Sequence, residues 1–291
     1  MKTLALGDIR IDRVVESELP IFEPDFLFPD ATREALAEER HWLEPNFVDP
    51  ATGKLIMSFH TYVVRTPQHT ILVDTCVGND KHRPARDFWH QLNNPYLQDL
   101  ARLGLKPEDI DIVMCTHLHV DHVGWNTRLV DGRWVPTFPN ARYIFAREEY
   151  GHWQEQHARG EDVNHGSFAD SVLPVVEHGQ AVMVDSDHAV EDRIWLAPAP
   201  GHTPGNIVIN IEAGDHSAVL CGDTIHHAAQ MTYPAWSSRF CEDPELSRQT
   251  RTGLIERLAD TPTYLLAAHF PTPVAGRIVR HGGAFRFNPI K

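Results

Sequence analysis

The segment THLHVDHVGW, residues 116–125, places four side chains of ligand type, His117, His119, Asp121 and His122, directly after an apolar run. Imidazole nitrogen and carboxylate oxygen are donors that borderline divalent cations accept readily. On a turn leaving a strand, His117 and His119 can project to one side while Asp121 and His122 face an adjacent point. Ligand types recur later, as His202 in PGHTPGN, Asp223 in LCGDT and His269 in LAAHF. Each of these follows a run that reads as a strand, and layered folds gather strand ends along one sheet edge. Five histidines and two carboxylates suffice for two cation sites that share one bridging oxygen ligand.

The elements that must carry these residues are legible in outline. Strands are expected at 7–15, 59–66 and 69–75, where β-branched and apolar residues cluster or alternate. DIVMCTH reads as a strand running to His117, followed by a hairpin at Asp131 and Gly132 and the strand ARYIFA. The apolar spacing predicts an amphipathic helix over 87–104, with Pro95 breaking or restarting it. Residues 147–178 read as helix and loop. The second half repeats the rhythm: strands IWLAPA, IVINIEA, SAVLCGD and TYLLAAH, with a helix from about Pro244 to Leu258. Such alternation indicates a layered α/β architecture. Residues 1–291 read as one domain of two similar halves. Within it, 20–57, aromatic and with one helix-like stretch, forms a flap or an oligomer-contact insertion, which favours a homodimer.

Bulk properties narrow the partners. A formal charge of −14, from 40 acidic against 26 basic residues, repels polyanions and anionic membrane surfaces. Nucleic acid and membranes are therefore not expected as partners, and a small neutral or weakly charged molecule is. The cysteines Cys76, Cys115, Cys221 and Cys241 show no C-x-x-C spacing and read as packing residues in a reducing compartment. With acidic and basic residues interrupting the N-terminal apolar run at Asp8, Arg10 and Asp12, a cytoplasmic location is expected.

The order H-x-H-x-D-H, histidine, aspartate, histidine resembles the metallo-β-lactamase superfamily over about His60 to His281, and every position is filled. That resemblance implies a four-layer αββα sandwich, an α/β fold. It also implies His117, His119 and His202 on a first metal and Asp121, His122 and His269 on a second, with Asp223 bridging. Asp74 in LVDT matches a family aspartate that orients ligands from behind, and Cys76 stands where many relatives have glycine. Two divalent ions per chain are implied, zinc first, with iron, manganese or cobalt as alternatives. A hydroxide held between them would be the nucleophile, and Asp121 would orient it and pass its proton to the leaving group.

Within the superfamily, Asp223 argues against true β-lactamases, and the chain resembles the quorum-quenching lactonase and methyl parathion hydrolase-like branch. The expected reaction is hydrolysis of a small ester or lactone, with arylester or organophosphate triester hydrolysis as the alternative. Further off stand a mononuclear iron oxidoreductase on the same scaffold and a metal-stabilised binding protein. Lactonases of this branch carry a tyrosine three residues after the bridging aspartate. Here that place holds His226, with His227 beside it, either a donor to the substrate carbonyl or half of a surface histidine pair. Tyr233 and Trp236 are candidates for the pocket mouth. Trp125, Trp153 and Trp195 read as packing residues, and His152, His157, His165, His178 and His188 as solvated.

Overall fold

The computed structural model describes residues 3–161 and 164–290. The chain begins with β1 (Leu4–Leu6) and β2 (Ile9–Phe22), then α1 (Pro24–Leu27), α2 (Arg33–Leu43), β3 (Leu55–Arg65) and β4 (Thr70–Val73). Next come α3 (Tyr96–Arg102), β5 (Ile112–Met114), the hairpin β6 (Thr127–Val130) and β7 (Arg133–Pro136), β8 (Arg142–Ala146), α4 (Arg147–Ala158), α5 (Leu173–Glu177) and β9 (Ala181–Val184). The remainder comprises β10 (Ala189–Glu191), β11 (Ile194–Pro198), β12 (Ile207–Ala213), β13 (His216–Leu220), α6 (Ala229–Thr232), α7 (Pro244–Leu258), β14 (Tyr264–Leu266), β15 (Ala275–His281) and β16 (Ala284–Pro289). The result is a mixed α/β structure with two large sheets. Among the described residues, no helix is long and apolar enough to cross a membrane.

The chain divides into two compact units. One holds the stretch up to Glu16 together with Phe59–Ser186, and the other holds Ser17–Ser58 with the chain from Asp187 onward. The first carries most of a seven-stranded sheet in the order β1-β2-β3-β4-β5-β8-β9, and pairs β4–β5, β5–β8 and β8–β9 are parallel. Strands β4 and β5 are buried along almost their whole length, as expected of parallel central strands covered on both faces. Beside them Tyr96 and Trp125 stack with centroids 4.8 Å apart, and the Tyr96 hydroxyl lies 2.7 Å from that of Thr61.

The anticipated helix over 87–104 is mostly absent. A single 3₁₀ turn occupies Asp87–Trp89, and the α-helix starts only after Pro95, whose ring nitrogen has no hydrogen to donate. The strand expected to reach His117 ends at Met114, so the ligand run lies wholly in the following loop. As anticipated, Trp125 and Trp153 are buried, Trp195 is half-buried, and His152, His157, His165, His178 and His188 all retain exposure.

The second unit carries the seven-stranded sheet β10 to β16 in sequence order, antiparallel except for β13–β14. Its final hairpin, β15 paired with β16, was not anticipated from the sequence. Helix α7 starts where Asp243 caps it, the carboxylate accepting from Leu246 N at 2.9 Å, with Pro244 in the first turn. Segment 20–57 packs on this unit: Tyr233 donates to Ala35 O at 2.9 Å, and Phe47 meets Phe270 and Phe287 edge-on. Tyr233 is stacked on Trp236, whose other neighbour is Phe28, so this pair anchors the segment.

Candidate metal centre

In the first unit the ligand run is held from behind by the loop after β4. Asp74 takes a left-handed conformation, φ +57°, which aims its carboxylate back at the run. It accepts from Thr116 N at 2.7 Å, from the Thr116 hydroxyl at 2.9 Å and from His122 Nδ1 at 2.9 Å. With Nδ1 donating, the lone pair of His122 is on Nε2, and that atom lies 3.9 Å from Asp121 Oδ1. Thr116 also approaches His117 Nδ1 at 3.2 Å, while His117 Nε2 faces His119 Nδ1 at 3.0 Å. Cys76, at φ +53°, adopts a backbone conformation that suits glycine and is buried.

Further groups brace this loop. Glu149 accepts from Leu118 N at 2.8 Å, and Asn164 accepts from Val120 N at 2.9 Å while donating to Leu118 O. Buried Glu16 accepts from Val77 N, Gly78 N and Trp125 Nε1 at 2.8 to 3.0 Å. Burial pushes its carboxyl up to about 7 although these three donors pull it down.

In the second unit the centre of the arrangement is Asp223, in the 3₁₀ turn Gly222–Thr224 that follows β13. Its carboxylate lies 3.3 Å from His202 Nε2, 3.3 Å from His226 Nε2 and 3.1 Å from His269 Nε2. The outer nitrogens face different partners: His269 Nδ1 donates to Ser58 O at 3.0 Å, and His202 Nδ1 lies 3.5 Å from Cys241 Sγ. Ligand atoms of His202, Asp223 and His226 lie within 4.8 Å of one another and all three residues are buried. Backbone contact positions His202: Gly201, at φ +123°, accepts from Asp243 N, and a Cβ there would meet Ser247 N at 2.2 Å.

His226 and His227 are both buried, so they are not a surface pair. His227 is structural: it bonds Phe47 O at 2.8 Å, accepts from Ala229 N at 3.1 Å, and is pushed down to about 4 by burial. His226 is also lowered, chiefly by burial, which outweighs the neighbouring Asp223 carboxylate. Its Nδ1 has no hydrogen-bond partner among the described residues, while its Nε2 faces the Asp223 carboxylate at 3.3 Å. Buried imidazoles turned with a carboxylate toward a common point suit a divalent cation.

The metallo-beta-lactamase superfamily model matches residues 60–279. The chain belongs to this superfamily. A probable metallo-hydrolase of Mycobacterium tuberculosis is 29% identical over 182 residues, covering 58% of this chain and 57% of that protein. The N-acyl homoserine lactonase AiiA of Bacillus thuringiensis subsp. kurstaki is 29% identical over 180 residues, covering 58% of this chain and 64% of that one. The chain thus spans less than two thirds of the length of these curated relatives. Among solved structures, the hydrolase AbOPH superposes with a TM-score of 0.81 at 22% identity, over 99% of this chain and 97% of that one. AidC, a dizinc quorum-quenching lactonase in complex with a product N-hexanoyl-L-homoserine, gives 0.79 at 22% identity, over 100% and 97%. These likenesses show the fold.

The superfamily's ligand pattern covers His117, His119, Asp121, His122, His202, Asp223 and His269, and the structure puts each in a loop that leaves a strand. The sequence gives no sign of the outer partners Ser58 and Cys241, and Thr116 could have been suspected only because it adjoins a ligand in the chain. Asp74 stands behind the ligand run, where the resemblance implies an orienting aspartate, and its contacts set an expectation. Asp74→Asn turns one acceptor oxygen into a donor amide facing either Thr116 or His122 Nδ1, which favours the wrong imidazole tautomer. Metal affinity in chelator competition should fall about 10- to 100-fold while the fold survives. Unchanged affinity would show that Asp74 does not orient His122.

Proposed function

We propose that this chain is a dinuclear metal-dependent hydrolase of small esters, with lactones as the preferred class. The observation that carries the reading is Asp223: one buried carboxylate within 3.3 Å of three imidazoles of its own unit, the position of a bridging ligand. In this reading His117, His119 and His202 would hold one ion, Asp121, His122 and His269 the other, and Asp223 both. Zinc suits the nitrogen-rich donor set, and iron, manganese and cobalt are the alternatives. Two such ions, when bound, would make a coordinated water acidic enough to ionise near neutral pH and would polarise the substrate carbonyl.

The chain's own residues do the rest. Asp74 and Ser58 keep His122 and His269 in the tautomer whose Nε2 is a lone pair. Asp121 orients the attacking oxygen and returns its proton to the leaving alkoxide. His226, neutral because it is buried, donates one N–H to the substrate carbonyl, the service tyrosine performs in the lactonases. Because His226 departs from the lactonase tyrosine and the same nucleophile can attack phosphorus, the second reading is hydrolysis of aryl esters or organophosphate triesters.

The test is a panel of homoserine lactones, aryl esters and paraoxon-type triesters, run on protein of measured metal content. The expected result is about two metal equivalents per chain, highest kcat/KM on a lactone, loss on chelation and recovery on adding zinc. Turnover of triesters with none of any lactone would select the second reading. One iron per chain with oxygen uptake would overturn both.

A further inference from the structure

Behind His202 lies a chain of buried polar groups that the hydrolytic reading does not use. Cys241 Sγ is 3.5 Å from His202 Nδ1 and 3.3 Å from the Ser247 hydroxyl oxygen, to which the thiol donates. Arg251, fully buried on α7, donates to the same oxygen from Nη1 at 3.2 Å and holds Ser237 Oγ and Pro234 O with its other nitrogens. His202, Cys241, Ser247 and Arg251 all lie in one compact unit and all are at most 8% exposed.

The thiol donating to Ser247 Oγ sets one direction for the donor and acceptor roles. Arginine only donates, so Ser247 Oγ accepts from Arg251, and it also accepts the Cys241 S–H. With its hydrogen turned toward Ser247, the sulfur presents lone pairs to His202 Nδ1. The imidazole can meet them only with Nδ1 protonated, which places its lone pair on Nε2, 3.3 Å from Asp223. We infer that Cys241 is a positioning residue, a neutral thiol acceptor that sets the tautomer of the metal ligand His202. This rests on the ligand role of His202 stated above. Three ligand histidines thereby have three different outer acceptors: the Asp74 carboxylate for His122, the Ser58 carbonyl for His269 and the Cys241 sulfur for His202. A neutral sulfur is the weakest of the three acceptors, so the His202 ligand bond is the one most sensitive to its outer partner.

Long-range 1H–15N spectra of the metal-free full chain, labelled at histidine nitrogen, read the tautomer without any metal. The expected result is His202 in the Nδ1–H form in the wild type and in Cys241→Ser, whose hydroxyl can still accept, and a shift toward the Nε2–H form in Cys241→Ala. On zinc-loaded protein, chelator-driven release should be about 10- to 100-fold faster in Cys241→Ala and within a few-fold of wild type in Cys241→Ser. An Nε2–H His202 in the wild-type protein overturns the inference with no variant needed, as does an unchanged tautomer and release rate in Cys241→Ala. Failure to take up metal at all would sink the hydrolase reading instead, and the tautomer spectrum would still decide the role of Cys241.

Discussion

Asp223→Asn is expected to lower turnover roughly a thousandfold or more, and to leave protein that binds about one metal equivalent or fewer. The substitution is nearly isosteric, so its effect isolates charge and donor count. Asp223 faces His202, His226 and His269 at 3.1 to 3.3 Å, and in the proposed site it offers an oxygen to each of two cations. An amide offers one neutral oxygen and turns an N–H₂ toward the other ion, where a donor is repelled. Several kcal/mol of charge stabilisation lost at about 1.36 kcal/mol per tenfold gives the stated size. Metal content by elemental analysis and kcat/KM on the best panel substrate are the two measurements, with circular dichroism to show that the variant is folded. A variant with both metals and full turnover would mean that Asp223 does not bridge.

Gly124→Ala should be the most damaging single methyl in the first unit. A Cβ on Gly124 would lie 1.8 Å from the Val77 carbonyl oxygen and 2.5 Å from Gly78 N. Those are backbone atoms of the loop after β4, and the two segments are tied there by Gly124 N donating to Cys76 O at 2.7 Å and Trp125 N donating to Thr75 O at 2.8 Å. No rotamer change can relieve the overlap, so the loops must part. The cost should reach or exceed the upper end of the roughly 1–3 kcal/mol typical of overpacking. Because the displaced loop carries Asp74, metal affinity should fall with stability. Urea melts of the metal-free variant and wild type measure the first effect, and chelator competition the second. An unchanged urea midpoint would show that the close approach is dispensable. By contrast, a methyl added at Gly151 or Gly253 would meet nothing within 4 Å, so these positions provide controls in which alanine is expected to be tolerated.

Legibility from the sequence followed the range of the interactions. Helix α7 was placed to its ends because its signals are local: a capping Asp243 and Pro244 at its start. The helix expected over 87–104 shrank to Tyr96–Arg102 because apolar periodicity persists through a proline that the backbone hydrogen bonds do not tolerate. The final hairpin went unseen although Gly282 and Gly283 mark its turn, both at positive φ. Its strands alternate charged and apolar residues over a short terminal run, a pattern that an unstructured end can also show.

The seven ligand types, their order and their attachment to strand ends were determined by the sequence alone, since a turn after an apolar run and a dense cluster of imidazoles are properties of neighbouring residues. Only the tertiary structure decided which ring nitrogen of His122, His269 and His202 is free to bind. That choice belongs to Asp74, Ser58 and Cys241, which lie 48, 211 and 39 positions from the histidines they touch. No periodicity reaches across such separations, and of the three only Asp74 was pointed to beforehand, by the family resemblance of LVDT. The same holds for the burial of His226, which depends on what packs around it.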